Sequence, residues 1–247
     1  MNLVLFDHCH DTYQLAQTDD RTRHILRVLR SEEGDTIRVG VVGGRRGSAT
    51  VTEISPTGIT LQATWEADRN DLLPVAVLVG HPRPPVLQRL LRDLTALRVA
   101  EIHVFTGALS DASYLDSSLW RKTDRVIREG LSQGMHTAPP TLRRWASLAV
   151  VLKAMAGGPW ESNLSEVRAY GAIGSPARTL PDFIVEVQDS RTAGGVAIAI
   201  GPERGFTPDE ETLLSDHGFS AVGLGSSTLR TETATIILAG AVCATLS

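Results

Sequence analysis

The pattern of apolar and polar positions changes near residue 71. Before it, short apolar runs are separated by glycine-rich turns, and one amphipathic helix is predicted at about residues 20–29. The predicted strands of this part are residues 3–6, 36–42, 48–54 and 59–65. Several short strands at this spacing are typical of a small barrel. We therefore expect a first domain, a β-domain, over residues 1–71, with residues 68–71 as the linker.

From Leu72 onwards, strands alternate with helices. The predicted elements are a strand at 75–79, a helix at 86–97, a strand at 102–105 and a helix at 118–132. This alternation predicts a mostly parallel sheet, and so an α/β domain over residues 72–247. Residues 157–195 are rich in loop formers and predict no clear element.

The last fifth of the chain contains two strands that each end at a glycine turn. Residues 196–200 are apolar throughout, as in a strand buried on both faces, and Gly201 ends the run. Thr207 and Glu210 then have the spacing of a capping box, which predicts the start of a helix. Residues 219–224 form the second predicted strand. An apolar helix at 234–246, opened by Thr231 or Thr233, follows it.

The two turns are expected to form one ligand site. The carboxyl ends of parallel strands meet at one edge of a sheet, and ligands of open α/β sheets bind there. Two common nucleotide motifs do not explain these turns. Residues 223–228 begin like a dinucleotide fingerprint but lack its third glycine. No Gly-Lys-Ser or Gly-Lys-Thr phosphate loop occurs in the chain.

These two motifs together resemble those of the SPOUT methyltransferases. They read Gly-Pro-Glu-Arg-Gly at 201–205, and Leu-Gly at 224–225 followed by Leu-Arg-Thr-Glu-Thr-Ala at 229–234. The most similar type methylates N3 of a uridine in small-subunit (16S) ribosomal RNA, and residues 24–30 are also similar to it. The resemblance implies a carboxyl-terminal α/β domain with a deep trefoil knot that binds S-adenosylmethionine. It also implies a PUA-like, RNA-binding β-barrel over residues 1–71 and a homodimeric active site.

The resemblance also implies which residues bind the cofactor. They are Thr106, Ile200, Gly201, Pro202, Glu203, Gly205, Leu224, Gly225, Leu229, Arg230, Thr231, Thr233 and Ala234. Glycines in such loops let backbone amides approach a ligand closely. An ordinary helix cap with a solvated Arg–Glu pair would also account for residues 229–233.

The expected chemistry requires few side chains, because S-adenosylmethionine is an activated methyl donor that must mainly be positioned. Uridine N3 carries a proton, so a base, or a cation that stabilises the developing anion, is needed. Arg230 is the candidate cation. Glu203 and Glu232 are weaker candidates, as bases, and each is at least as consistent with a structural acceptor of loop amides.

Charge and composition narrow the possible partners. The net charge is −4, but residues 72–145 carry 10 basic and 6 acidic side chains. The predicted RNA-binding residues are Arg23, His24, Arg27 and Arg30, which are equally consistent with the solvated face of an amphipathic helix. The resemblance, rather than the composition, implies ribosomal RNA or the small ribosomal subunit as the partner. No metal site is expected, because nothing near His8, Cys9 and His10 completes one.

Further features concern assembly and location. Residues 235–242 are apolar nearly all round, which predicts burial on more than one side, either in a homodimer or within one subunit. The chain has two cysteines, no apolar run long enough to span a membrane and no signal-peptide pattern, so a cytoplasmic protein is expected.

Five features depart from the family that the chain resembles. They are residues 106–109, residues 134–139, which contain no arginine, Arg204, which replaces a glycine of the cofactor loop, Pro84-Pro85 in place of a Lys-containing turn, and Arg98 in place of a helix-end glycine. They leave two alternatives open. One is a methyltransferase of the same fold with another RNA site or acceptor, and the other is a binding protein without catalysis.

Overall fold

The chain divides into two compact units in a computed structural model that describes residues 2–67, 71–156, 167–174, 178–190 and 194–247. The first unit contains residues 1–71 and 128–139, and the second contains residues 72–127 and 140–247. Hydrogen bonds account for the inclusion of 128–139 in the first unit. The amide of Leu3 donates to the carbonyl of Ser132 (3.0 Å), whose hydroxyl donates to the carbonyl of Leu3 (2.7 Å).

The first unit is built on a five-stranded sheet. Its strands are β1 (Val4–Phe6), β2 (Thr12–Ala16), β3 (Thr36–Val41), β4 (Arg46–Ser55) and β5 (Gly58–Trp65). Their order is β1-β3-β4-β5-β2, and all pairs except β1 with β3 are antiparallel. Strand β2 is missing from the sequence prediction, because only Tyr13 and Leu15 of its five residues are buried and the rest face solvent.

The predicted helix at 20–29 changes its winding halfway. It begins as α1 (Asp20–Arg23), where the Asp19 carboxylate caps the first turn by accepting from the amide of Arg21 (2.8 Å). It continues as a π-helical turn, His24–Leu29, and ends at Arg30, whose φ of 57° is left-handed. Ile25 is fully buried in the core of the unit. The wide turn keeps that anchor inside while Arg27 and Arg30 remain exposed.

The second unit contains a seven-stranded sheet in which every pairing is parallel. Its strands are β6 (Leu73–Gly80), β7 (Val99–Phe105), β8 (Thr141–Trp145), β9 (Val167–Ala172), β10 (Arg178–Thr179), β11 (Val196–Ile200) and β12 (Ser220–Gly223). The order is β10-β12-β9-β11-β6-β7-β8. Strand β9 therefore lies between the two strands that carry the glycine turns, and the carboxyl ends of all three meet at one edge.

Helices cover both faces of this sheet. They are α2 (Pro84–Ala96), α3 (Thr123–Gly134), which continues into the first unit, α4 (Leu148–Ala156), α5 (Leu180–Asp189), α6 (Pro208–Asp216) and α7 (Thr231–Leu246). Apolar residues of α2, α5 and α7 share one core, and those of α4 and α6 share another. The helix predicted at 118–132 is a 3-10 turn, Ser118–Arg121, followed by α3, since the Ser117 hydroxyl caps the 3-10 turn separately.

Helix α7 is buried along one side. Leu238 and Val242 are fully buried, whereas Ile237 is 37 % exposed. Cys243 is also buried, which raises the pKa of its thiol to about 12. The helix begins at Thr231, one of the two starts that the sequence predicts, with Arg230 as its N-cap and no side chain capping it. Among the residues described, no helix combines the length and the apolarity that crossing a membrane requires.

Candidate active site

A cavity of ≈ 490 Å³, here called the cofactor cavity, lies at the carboxyl edge of the parallel sheet. The ends of β9, β11 and β12 and the first turn of α7 form it. Its lining residues are Gly171, Ala172, Ile173, Gly174, Ile200, Gly201, Pro202, Glu203, Arg204, Gly205, Phe206, Glu211, Leu224, Gly225, Ser226, Ser227, Thr228, Leu229, Thr231 and Ala234. The two glycine turns therefore meet in one concave site, as the sequence predicts.

The turn after β11 is built from closely packed backbone. A Cβ atom on Gly201 would lie 2.9 Å from the backbone of Gly205 and of Phe206, so no side chain fits there. The amide of Gly205 donates to the carbonyl of Pro202 (2.8 Å) and closes the turn. The predicted capping box of Thr207 with Glu210 is confirmed and fixes the start of α6 directly after the turn.

The turn after β12 is more open. Gly225 has a φ of +117° and is exposed, a backbone conformation that other residues rarely adopt. Leu224, Leu229 and Ala234 add apolar side chains to the cavity beside it. The turn thus combines exposed backbone with a small apolar wall, a suitable surface for a flat, partly apolar ligand group.

The end of β9 is the part of the cavity that the sequence does not predict. A Cβ atom on Gly171 would lie 2.5 Å from Cδ1 of Ile200, so this glycine permits the close packing of β9 against β11. The signal in the sequence is a further glycine, Gly171, which follows residues 167–170.

Most of the predicted cofactor residues line the cavity, and the exceptions are Thr106, Arg230 and Thr233. Thr106 follows β7, and its hydroxyl is buried without a hydrogen-bond partner among the described residues. Thr233 lines a separate surface depression on α7, with Ile236 and Ile237. Arg230 faces a second pocket.

This second pocket, the arginine pocket, has a volume of ≈ 370 Å³ and adjoins the cofactor cavity. Its lining residues are Arg83, Val86, Arg89, Glu203, Thr228, Leu229, Arg230, Thr231 and Glu232. It shares Glu203, Thr228, Leu229 and Thr231 with the cavity. The sequence predicts Arg230 and Glu232 here but not Arg83, the N-cap of α2, or Arg89 within α2, which are some 140 residues away along the chain.

Each glutamate of the arginine pocket forms polar contacts with an arginine. Glu232 accepts a hydrogen bond from Arg89 at 2.5 Å. Glu203 accepts from the amide of Arg83 at 2.8 Å, and its carboxylate lies 3.6 Å from Nε of the same residue. Because each carboxylate already contacts an arginine, a structural role is favoured for both glutamates over the role of a general base.

Arg230 is different. Its side chain is exposed and makes no hydrogen bond or ion pair with any other described residue. It lies at the amino-terminal end of α7, where the helix dipole adds a partial positive charge. The pocket therefore contains one guanidinium that is available to a ligand.

The predicted RNA-binding residues of the first unit lie on α1 and the π-helical turn. Arg23 pairs with Asp20 (2.8 Å), while Arg27 and Arg30 are exposed and make no ion pair with a described residue. Nε2 of His24 is buried, so this nitrogen does not face solvent. In the described part of the chain, no three His, Cys, Asp or Glu side chains are placed to hold a metal ion.

Comparison with known proteins gives the class. Residues 69–243 match the family of RNA methyltransferase domains, and residues 18–64 match the RNA methyltransferase PUA domain. The solved structures show the same fold. The ribosomal RNA small subunit methyltransferase E from Neisseria gonorrhoeae, bound to S-adenosyl methionine, has a TM-score of 0.71 at 19 % identity, over 98 % of this chain and 95 % of that one. A probable rRNA-methyltransferase from Porphyromonas gingivalis has a TM-score of 0.74 at 23 % identity, over 100 % and 98 %.

Proteins with similar sequences narrow the assignment from this class to one family. The ribosomal RNA small subunit methyltransferase E of Treponema pallidum is 34 % identical over 95 % of this chain and 87 % of its own length. The protein of the same name from Bacillus subtilis is 24 % identical over 91 % and 88 %. The chain belongs to the ribosomal RNA small subunit methyltransferase E family.

Proposed function

We propose that this protein transfers a methyl group from S-adenosylmethionine to N3 of a uridine in small-subunit (16S) ribosomal RNA. The observation that carries the proposal is the junction of two pockets in a chain of this family. A glycine-built cavity opens onto a pocket that holds an unpaired, exposed guanidinium among the described residues. N3 of uridine is the acceptor that the resemblance of the motifs implies.

The cofactor cavity suits S-adenosylmethionine in size and chemistry. A volume of ≈ 490 Å³ lies in the range of pockets for small ligands. Gly201 and Gly225 supply backbone, and Leu224 and Leu229 supply an apolar wall suited to an adenine ring. When bound, the cofactor supplies an activated methyl group, so the protein has only to orient the two reactants.

Arg230 is the proposed catalytic residue. Loss of the N3 proton leaves a negative charge spread over the uracil ring and its carbonyl oxygens. A guanidinium beside the ring stabilises that charge, and this favours removal of the proton. We assign Glu232 a positioning role, because its carboxylate already holds Arg89. The proton that leaves N3 then passes to solvent or to an acceptor other than Glu232.

The remaining assignments are part of the proposal. The PUA-like unit binds RNA through Arg23, Arg27 and Arg30, with His24 supporting the turn. The carboxyl-terminal domain, residues 72–247, is knotted around the cofactor, and the protein works in the cytoplasm as a homodimer. Ile237 supports the dimer, because it is a large apolar side chain of α7 that is exposed in the single subunit.

Nucleoside mass mapping tests the reaction. Unmodified small-subunit RNA, free or in assembled subunits, is incubated with the protein and S-adenosylmethionine and then digested. The expected product is one N3-methyluridine per RNA. A different methylated nucleoside would indicate another acceptor. No methylation together with measurable cofactor binding would indicate a binding protein, and either outcome contradicts the proposal.

Light scattering tests the assembly separately. A mass twice that of the 26.6 kDa chain is expected at micromolar concentration. A monomer under those conditions would show that α7 is buried within one subunit only.

A further inference from the structure

A third pocket, here called the tyrosine pocket, has a volume of ≈ 430 Å³ and no role so far. Its lining residues are Arg83, Leu109, Ser110, Asp111, Tyr114, Glu203 and Arg204. It shares the Arg83–Glu203 ion pair with the arginine pocket, and it shares Glu203 and Arg204 with the cofactor cavity. A ligand that extends beyond the acceptor position therefore has a second concave surface next to it.

The tyrosine pocket has an aromatic wall that is firmly supported. The ring of Tyr114 lies 5.9 Å from that of His81, which lies 5.5 Å from the ring of Trp120. His81 is buried, and its Nδ1 lies 2.8 Å from the carbonyl oxygen of Pro82. Burial lowers the pKa of His81, so the imidazole is uncharged near neutral pH. Tyr114 itself remains partly exposed, as an aromatic face on which a base can stack.

The charges of the pocket leave one cation available. Arg83 is paired with Glu203. The carboxylate of Asp111 accepts from the amide of Ser113 at 2.9 Å, and hydrogen bonds from Ser113 lower its pKa. Arg204 is exposed and makes no hydrogen bond or ion pair with any other described residue. An aromatic face beside a free guanidinium is the combination that proteins use for a base and its phosphate.

We propose that the tyrosine pocket binds a nucleotide next to the methylated one, with its base stacked on Tyr114 and its phosphate bound by Arg204. The proposal rests on the proposed function for RNA as the ligand. It gives a role to the arginine that replaces a family glycine. Arg204 also lines the cofactor cavity, so the competing role is a contact with the carboxylate of S-adenosylmethionine.

The test measures RNA affinity without catalysis. The full chain, saturated with S-adenosylhomocysteine, is titrated with unmodified small-subunit RNA at several salt concentrations. The variants are Tyr114→Ala, Tyr114→Phe and Arg204→Ala. Lys153→Ala is the matched control, because Lys153 is exposed on α4 and lines none of the three pockets. Thermal melting confirms that each variant folds, and the affinity for S-adenosylhomocysteine is measured alongside.

Tyr114→Ala should weaken RNA binding roughly 5- to 150-fold, as expected for one lost stacking contact, and Tyr114→Phe should bind like the wild type. Arg204→Ala should reduce the slope of log affinity against log salt by about 0.7–0.9. The RNA affinity of the control and the cofactor affinities of the Tyr114 variants should be unchanged. Wild-type RNA binding by Tyr114→Ala and Arg204→Ala would overturn the proposal, as would an Arg204→Ala effect on cofactor affinity alone. If RNA binding responds as expected but no methyl group is transferred, the proposed function fails and the nucleotide site stands.

Discussion

The cofactor cavity and the arginine pocket share four residues, yet they are built from different parts of the chain. The cavity is formed by turns that directly follow β9, β11 and β12, and five of its twenty lining residues are glycines. The arginine pocket is formed by side chains from α2, α7 and the turn between β11 and α6. A site built from backbone depends on conformation, whereas one built from side chains depends on charge. The two sites should therefore respond to different perturbations.

The largest expected effect is on the rate of methyl transfer. Arg230→Ala removes the free guanidinium of the arginine pocket and should slow single-turnover methylation by on the order of 100-fold or more at saturating RNA and cofactor. Arg230→Lys should rescue only partly, because an ammonium lacks the planar fork. Arg89→Ala provides a comparison, since it removes an arginine that is already paired with Glu232. Wild-type rates in Arg230→Ala would show that Arg230 is only the N-cap of α7.

A substitution at a glycine of the cofactor cavity should affect the site that is built from backbone. Gly225→Val places a β-branched residue at a φ of +117° and should weaken binding of S-adenosylmethionine at least about fivefold, because the strain in this region is about 1–2 kcal/mol. Gly218→Val is the matched control, since Gly218 also has a positive φ (+78°) with open space around it but does not line the cavity. Calorimetry of both variants checks this. Equal cofactor affinities in the two variants would contradict a cavity built from backbone.

Charge removal in the first unit should give a smaller, salt-dependent effect. Arg27→Ala and Arg30→Ala should each weaken RNA binding and lower the slope of log affinity against log salt by about 0.9, with the methylation rate at saturating RNA unchanged. Arg38→Ala is the control, because Arg38 is exposed but already paired with Glu66 (2.8 Å). Unchanged slopes in titrations of both variants would mean that Arg27 and Arg30, in and directly after the π-helical turn, form a solvated face and make no RNA contact.

The smallest expected effect is on stability, through His81, whose ring packs against Tyr114 of the tyrosine pocket. Its pKa is lowered in the folded state by burial, so the unfolded chain binds a proton first as the pH falls. Its contribution to stability is complete above the ordinary histidine pKa of about 6.5 and is lost below it, by at most about 1.4 kcal/mol per pH unit. Melting temperatures at pH 7.5 and 5.5 should differ more for the wild type than for His81→Asn. An equal difference would exclude His81 as the cause.

The difference between a cavity built from backbone turns and a pocket built from side chains also explains which parts of the site can be predicted from the sequence. Strand β11 and the capping box of Thr207 are local patterns, so they are visible in the sequence along with the turns that depend on them. The end of β9 is not predicted, because its glycines follow a stretch of sequence without a clear hydrophobic periodicity. Arg83 and Arg89 are invisible for another reason. Arg89 reaches Glu232 through the packing of α2 beside α7, whereas Arg83 reaches Glu203 because β6, which precedes α2, pairs with β11. No local pattern encodes either contact.

The burial of Cys243 has a practical consequence for experiments on this protein. The sequence contains two cysteines, and at neutral pH the buried one remains a protonated, shielded thiol. Cys9 is exposed, and neither cysteine is in a disulfide. Thiol reagents act on accessible thiolates, so a maleimide dye or spin label should attach at one position in the folded chain. The unmodified protein can thus carry a single reporter on its first unit, without any engineered substitution.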